Sequence, residues 1–173
     1  MAEAEGDVTV RGYADGDLEA CRGLWVELTE QHRLIYDSPE IGGDDPGSKF
    51  DGHLAKVGAD QLWVAEVDGE VVGITGLQPI DEGIEIEPVV VAASHRGHGI
   101  GRLLIEAAIA GGVASGHNLI SVGVVGRNRE AMEFYHAMGF DVVGIVELMY
   151  DTRPGADQRW RPGDTIAGLP FRN

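Results

Sequence analysis

Six consecutive residues give the clearest chemical signal in this chain: Arg96-Gly97-His98-Gly99-Ile100-Gly101. An apolar run over residues 87–92 precedes them and predicts a strand, and an apolar-periodic segment that predicts a helix follows at once. A glycine turn between a strand and a helix can direct several backbone N–H groups at an anion, because glycine permits close approach and the helix N-terminus is partially positive. The pattern therefore indicates a site for a nucleotide-like molecule that carries a pyrophosphate.

Two carboxylates precede this loop on the same predicted strand. Glu85 and Glu87 are two residues apart, so both should lie on the strand face that also carries Val89 and Val91. A carboxylate pair in a partly apolar strand raises the pKa of one member, as a general base requires. Alternatively, one or both face solvent or bind a cationic substrate. Pro88 cannot donate to a ladder, which predicts a distorted strand.

A length of 173 residues favours a single domain over residues 1–173, with a core at 7–150 and a tail at 151–173 that could add a strand. Cys21 is the only cysteine, which excludes an intrachain disulfide and suits a reducing cytoplasm. The histidines lack metal-like spacing, so no metal is predicted. Residues 1–7 do not resemble a signal peptide, and no apolar run approaches the length of a membrane span. We therefore expect a cytoplasmic protein.

The chain is strongly acidic, with 29 Asp and Glu against 13 Lys and Arg and a formal net charge of −16. A field of that sign disfavours nucleic acid and anionic membrane as partners and attracts amines. The same composition would also suit a solvated surface adapted to high salt.

Periodicity and turn residues predict the order β-α-α-β-β-β-α-β-α-β. The Asp68-Gly69 dipeptide between two apolar runs predicts a hairpin. The predicted strands cover residues 7–13, 61–67, 70–77, 83–92, 118–125 and 140–150, and the predicted helices begin near residues 15–17, 48, 99 and 128. The fold class is therefore α/β with a mixed sheet: six to seven mostly antiparallel strands, a central parallel pair, and about four helices on both faces.

This order, with the glycine loop after the fourth strand, resembles the GNAT N-acetyltransferase superfamily over residues 7–150. The loop matches that family's Arg/Gln-x-x-Gly-x-Gly/Ala signature. A second segment, Asn128-Arg129-Glu130-Ala131-Met132-Glu133-Phe134-Tyr135-His136-Ala137-Met138-Gly139-Phe140, is similar to the family's Asn-x-x-Ala-x-x-Phe-Tyr-x-x-x-Gly-Phe. The loop lacks the Gly-Lys-Ser/Thr sequence of a P-loop, which disfavours that kind of site. No acidic residue stands about 20 residues further on, where a Rossmann site needs one.

The resemblance implies acetyl-CoA as co-substrate, with its pyrophosphate on the loop and its pantetheine arm along the fourth strand, where a backbone N–H would stabilise the oxyanion. Asn128 could instead be a simple N-cap. The implied cofactor-binding residues are Val89, Val90, Val91, Arg96, Gly97, His98, Gly99, Ile100, Gly101, Arg102, Asn128 and Tyr135.

The resemblance also implies catalytic roles. Tyr135 matches the family's usual general acid, which protonates the departing thiolate. By spacing, Glu85 falls where histone-type members keep a catalytic glutamate, whereas Glu87 is nearer the cofactor arm, so either could be the base. The acceptor pocket is expected between the first two helices and their loop, at Trp25, Leu28, His32, Tyr36, Asp37, Glu40, Asp44 and Asp45.

The predicted function is an N-acetyltransferase in which a small-molecule, peptide or protein amine attacks acetyl-CoA directly in a ternary complex. The alternative is a non-catalytic acyl-CoA sensor on the same fold. The sequence leaves open the acceptor, the acyl length and the role of residues 151–173. An exposed edge strand would be compatible with a homodimer.

Overall fold

A computed structural model describes residues 7–81 and 83–173, with the side chains of 156 and 157 not described. The signal-peptide prediction therefore falls almost wholly outside the described residues. The strands are β1 Val8–Gly12, β2 Leu62–Val67, β3 Glu70–Ile80, β4 Gly83–Val91, β5 Ile120–Ser121, β6 Pro162–Ile166 and β7 Leu169–Arg172. The helices are α1 Leu18–Tyr36, α2 Lys49–Val57, α3 Ile100–Ala114, α4 Arg129–Ala137 and the single turn α5 Ala156–Arg159.

The chain separates into two compact units, one up to Gly123 and one from Val124 to Asn173. Among the described residues, no helix is both long and apolar enough to cross a membrane.

The first unit is built on a five-stranded sheet in the order β1-β2-β3-β4-β5. Antiparallel pairing joins β1 through β4, and β5 runs parallel to β4. The predicted hairpin is confirmed: Asp68 and Gly69 both have positive φ, 51° and 84°, as a type I′ turn needs. The mixed α/β fold class is likewise confirmed, although the parallel pair stands at one end of this sheet rather than at its centre.

Helices cover both faces of this sheet, as the pattern predicted. On one face α1 and α2 pack on a cluster of Cys21, Leu24, Phe50, Val57, Leu62, Val64, Ile74 and Val90. On the other face α3 contributes Ile100 and Leu104 to a cluster with Ala65 and Val72. Burying these apolar side chains, at roughly 25 cal/mol per Å² of apolar surface, is what fixes α3 and hence the glycine loop at its N-terminus.

The structure corrects two strand predictions in the C-terminal half of the chain. The strand expected at 118–125 shrinks to the two residues of β5. Residues 140–150 form no strand, and their apolar side chains are mostly exposed, Ile145 at 96% and Tyr150 at 92%. The alternation there was a valid sign of β propensity, but a strand also needs a ladder partner, and the described residues provide none.

The tail does add strands, as the sequence allowed. β6 and β7 form a two-stranded antiparallel sheet of their own. Ala167 and Gly168, both with positive φ, connect them. The strand that the sequence allowed in the tail is therefore a hairpin with β6 and β7 as its two arms.

Candidate active site

The glycine loop presents unused backbone donors. After β4, one 3₁₀ turn over Ala93–His95 leads to Gly97 and Gly99, whose φ angles are 82° and 79°. A Cβ on either glycine would meet open space, so their positive φ, not crowding, is what selects glycine there. Within the described chain, the backbone N–H groups of residues 97–101 enter no hydrogen bond, and the first helical bond runs from Arg102 N to Gly99 O at 3.0 Å. Five donors are therefore available to an anion.

Neighbouring side chains fix the start of this loop. Glu27 Oε2 on α1 accepts a 2.8 Å hydrogen bond from the Ala93 N–H. Arg96 Nε donates to the Val91 carbonyl at 3.0 Å and so ties the loop back to the end of β4. Arg102 pairs with Glu106 one turn along α3, and both are largely exposed. Sequence reasoning did not identify Glu27, because no local pattern links residues 66 positions apart.

A bulge in β4 overturns the predicted common face of the two glutamates and the valines. Val89 pairs with Thr75 and Ile86 pairs with Leu77, so Gly76 alone opposes both Glu87 and Pro88. One extra residue on β4 inverts the alternation beyond it. The predicted distortion at Pro88 is thus confirmed.

The bulge puts Glu85 and the two valines on opposite faces of the sheet. Glu85 pairs with Gln78, which shares the face of Ile74 and therefore of α1 and α2. Val91 instead packs in the α3 cluster, where its partner Gly73 approaches Leu104. Val90, which lies between Val89 and Val91, packs with α1 and α2. The prediction that Glu85 lies on the face of Val89 and Val91 is therefore wrong.

Glu85 has an environment suited to proton transfer. Burial and, to a lesser degree, the Glu87 carboxylate raise its pKa, while a backbone hydrogen bond from Gly123 and the Lys56 cation act in the opposite direction. A Cβ on Gly123 would lie 2.9 Å from Glu85 Oε1, so a larger residue there would displace the carboxylate. Glu87 itself is exposed. The expectation that the pair raises one member's pKa is met at Glu85.

His53, which no sequence motif identified, is buried on α2 with its ring 5.1 Å from that of Trp25. Burial and the nearby Lys56 cation lower the pKa of His53, and the adjacent Glu87 carbonyl offsets this only in part. The Nε2 atom of His53 has no hydrogen-bond partner among the described residues. Burial therefore favours the neutral form of this ring beside the bulge.

The α1–α2 region only partly resembles the predicted acceptor pocket. Trp25 and Leu28 pack against the core cluster, and Trp25 lies 5.8 Å from Phe50, so both serve packing. His32 and Tyr36 meet edge to face at 6.4 Å. The acidic loop that carries Asp37, Glu40, Asp44 and Asp45 is held by Arg33, which donates to the carbonyls of Ile41 and Gly43 at 2.8 and 2.7 Å.

In the second unit, α4 carries the remaining predicted residues. Asn128 caps the helix, because its Oδ1 accepts a 3.1 Å hydrogen bond from Ala131 N. Tyr135 is half-buried and meets the rings of Phe134 and Phe140 edge to face at 5.2 and 5.9 Å. Burial raises the pKa of Tyr135 to about 12. The phenol therefore keeps its proton at any working pH.

Comparison with known proteins adds independent evidence. Residues 24–140 match the model of the Acetyltransferase (GNAT) family. Streptothricin acetyltransferase of Streptomyces lavendulae is 32% identical over 160 residues, covering 81% of this chain and 85% of that protein. N-Acetylaspartate synthetase of Xenopus tropicalis is 28% identical over 126 residues, covering 72% of this chain. The chain spans 46% of the length of this synthetase, and 45% and 37% of the lengths of two further relatives.

Solved structures share the fold. Aminoglycoside N-acetyltransferase AAC(6')-Iy in complex with CoA aligns with a TM-score of 0.64 at 19% identity, covering 88% of this chain and all of that chain. At that identity the likeness supports the fold alone. The family match over residues 24–140 and the 32% identical relative go further: this chain belongs to the acetyltransferase (GNAT) family.

Proposed function

We propose that the chain is an acetyl-CoA-dependent N-acetyltransferase that acetylates a primary amine by direct attack. The observation that carries this proposal is the row of backbone N–H groups at residues 97–101 that make no hydrogen bond within the described chain, with open space beside Gly97 and Gly99 at the N-terminus of α3. Such a row suits the pyrophosphate of CoA, since each donor can form a charge-assisted hydrogen bond. Arg96 and Arg102, at either end of the loop, would add positive charge.

The proton transfers of the reaction assign roles to two side chains. Acetyl-CoA supplies the acetyl group as a thioester. As the amine nitrogen forms its bond to the acetyl carbon and the carbon–sulfur bond breaks, a carboxylate on β4 accepts the proton that the amine loses. Tyr135 gives its phenolic proton to the leaving sulfur. Val89 and its neighbours contribute backbone to the pantetheine arm, so their side chains remain packing groups.

Glu85 is the better candidate for the base, with Glu87 as the alternative. A base must be ionised, so its activity is lost as pH falls through its pKa, which for Glu85 lies above the ordinary value of 4.5. Glu85 also faces α1 and α2, where the acceptor is expected.

Glu85→Gln is expected to lower kcat/KM near neutral pH by about a hundredfold, because an uncharged amide cannot take the amine's proton. The defect should shrink as pH rises and the amine loses its proton without help. The measurement is a pH profile of kcat/KM for Glu85→Gln, Glu87→Gln and the parent protein. Glu87→Gln is the matched control, and a larger, pH-dependent defect there would transfer the role of base to Glu87.

The acceptor proposed here is a small cationic amine. The chain's charge of −16 would attract it, and a relative that aligns over 160 residues is named streptothricin acetyltransferase. Streptothricin, the aminoglycoside neamine, spermidine and a lysine-containing peptide form a suitable panel.

The function is tested in two steps. Calorimetry with acetyl-CoA, with desulfo-CoA as a comparison, should give a Kd below about 100 μM, equivalent to about −5.5 kcal/mol. Thiol release with the amine panel then measures turnover. Absence of binding at low and high salt would overturn the proposal, and tight binding without turnover on any amine would favour the non-catalytic acyl-CoA sensor.

A further inference from the structure

The tail holds the turn that starts helix α4. Arg127 Nη2 donates a 2.7 Å hydrogen bond to the Arg159 carbonyl, and its guanidinium carbon lies 5.3 Å from the centre of the Trp160 ring. On the other side of the turn, Asn173 Nδ2 donates to the Gly126 carbonyl at 3.0 Å. Two separate parts of the tail therefore contact residues 126 and 127, immediately before the N-cap Asn128.

Trp160 and Asn173, which make these contacts, are themselves held by hydrogen bonds within the tail. Trp160 Nε1 donates to Asp151 Oδ2 at 3.0 Å, and Asp151 in turn receives two 2.8 Å hydrogen bonds from the Arg153 side chain. Asn173 exchanges two backbone hydrogen bonds of 3.0 Å with Arg161. The indole and the last residue of the chain thus have defined positions rather than loose ones.

Electrostatics supports a purpose for this arrangement. A cation just before a helix N-terminus opposes the helix dipole, so Arg127 is not placed there to stabilise α4 through charge. A guanidinium held over an indole face gains instead from cation–π attraction and from the hydrogen bond to the Arg159 carbonyl. Arg127 is therefore best explained as the attachment point for the tail.

We propose that the tail, residues 151–173, positions α4 for catalysis, with Trp160 and Asn173 as positioning residues that act through the turn 126–128 on Tyr135. This inference rests on the proposed function, because Tyr135 is the proposed acid. The family match ends at residue 140, so the tail lies beyond the matched segment. Its function is to fix where the first turn of α4 begins and hence where the phenol stands.

Amide hydrogen exchange tests the positioning without any acceptor. Ala131 N and Met132 N are bonded to the side chain and carbonyl of Asn128, so they report on the first turn of α4. Trp160→Leu should speed exchange at both amides by at least about tenfold, while amides in the middle of α3 stay unchanged. Trp160→Phe keeps a ring face for Arg127 and should show a smaller effect. Unchanged exchange in Trp160→Leu would overturn the proposal.

A double-mutant cycle tests the link to Tyr135. With acetyl-CoA and the fastest amine of the panel, Trp160→Leu and the milder Asn173→Ala should lower kcat, by about tenfold for the former, with the acetyl-CoA Kd little changed. In a Tyr135→Phe background the same changes should have almost no further effect. Leu169→Thr, at an exposed tail position, is the matched control and should leave kcat unchanged.

The outcomes separate the two proposals. Additive losses in the cycle would mean that the tail acts only on general stability, which overturns the positioning role. If Tyr135→Phe alone has no effect on kcat, the proposed acid fails, while the exchange result still decides whether the tail fixes α4.

Discussion

Replacing Gly99 by glutamate is expected to weaken acetyl-CoA binding by more than about a hundredfold. The φ angle of Gly99 is 79°, a conformation that costs other residues roughly 1–2 kcal/mol, so the loop would shift or strain. The new carboxylate would also project into the open space beside the unpaired N–H groups and repel the pyrophosphate. Calorimetric titration with acetyl-CoA measures the change in Kd directly.

Gly116→Glu is a closely matched control for this prediction. Gly116 has a φ of 85° and open space around it, and it lies just beyond the other end of the same helix. Both variants should therefore lose similar stability from backbone strain, but only the change at Gly99 should remove binding. Equal loss of affinity in the two variants would point to general unfolding, and retained affinity in Gly99→Glu would exclude the loop as the pyrophosphate site.

The features that were predictable from sequence are local ones. The glycine loop, the Asp68-Gly69 turn and the cap at Asn128 each depend on a few adjacent residues whose backbone preferences determine the outcome. The helices were predictable for a related reason, because an apolar stripe with helical spacing identifies which face is buried. These features include most of the proposed cofactor site.

The bulge in β4 was beyond sequence reasoning, although Pro88 signalled a distortion. Whether an irregular strand keeps or inverts its alternation depends on how many residues oppose it on the neighbouring strand. Here the single opposing residue is Gly76 of β3, which lies 11 positions before Glu87 in the chain. The consequence reaches the proposed chemistry, because the inversion turns Glu85 toward α1 and α2.

The tail resisted prediction for a different reason. Its attachment depends on side-chain contacts between distant residues, such as Arg127 with Trp160 and Asn173 with Gly126. No periodic pattern records such pairs. Conversely, residues 140–150 have a strong alternating pattern and yet no ladder, because pairing is a property of two segments and the pattern describes only one.

Tyr135→Phe is expected to lower kcat by more than about a hundredfold while leaving the acetyl-CoA Kd within about twofold of the parent value. The ring would stay in its position against Phe134 and Phe140, so only the hydroxyl is lost. A thiolate that leaves without a proton carries its full charge into a partly buried site, where charge is poorly solvated. The measurement is steady-state thiol release combined with calorimetry.

Tyr150→Phe makes the same chemical change at a tyrosine that is 92% exposed, and it should leave kcat unaltered.

The pH dependence gives a second test of the role of Tyr135. Because its pKa is about 12, the phenol should stay protonated and its contribution to kcat constant from about pH 7 to about pH 10. An acid must hold its proton to act, so the contribution should disappear only as pH rises through that value. A contradicting result would be a parent enzyme whose kcat falls between about pH 7 and about pH 10 while Tyr135→Phe shows no such fall. The phenol would then ionise far below the pKa that its burial imposes, and Tyr135 would not act as a simple acid.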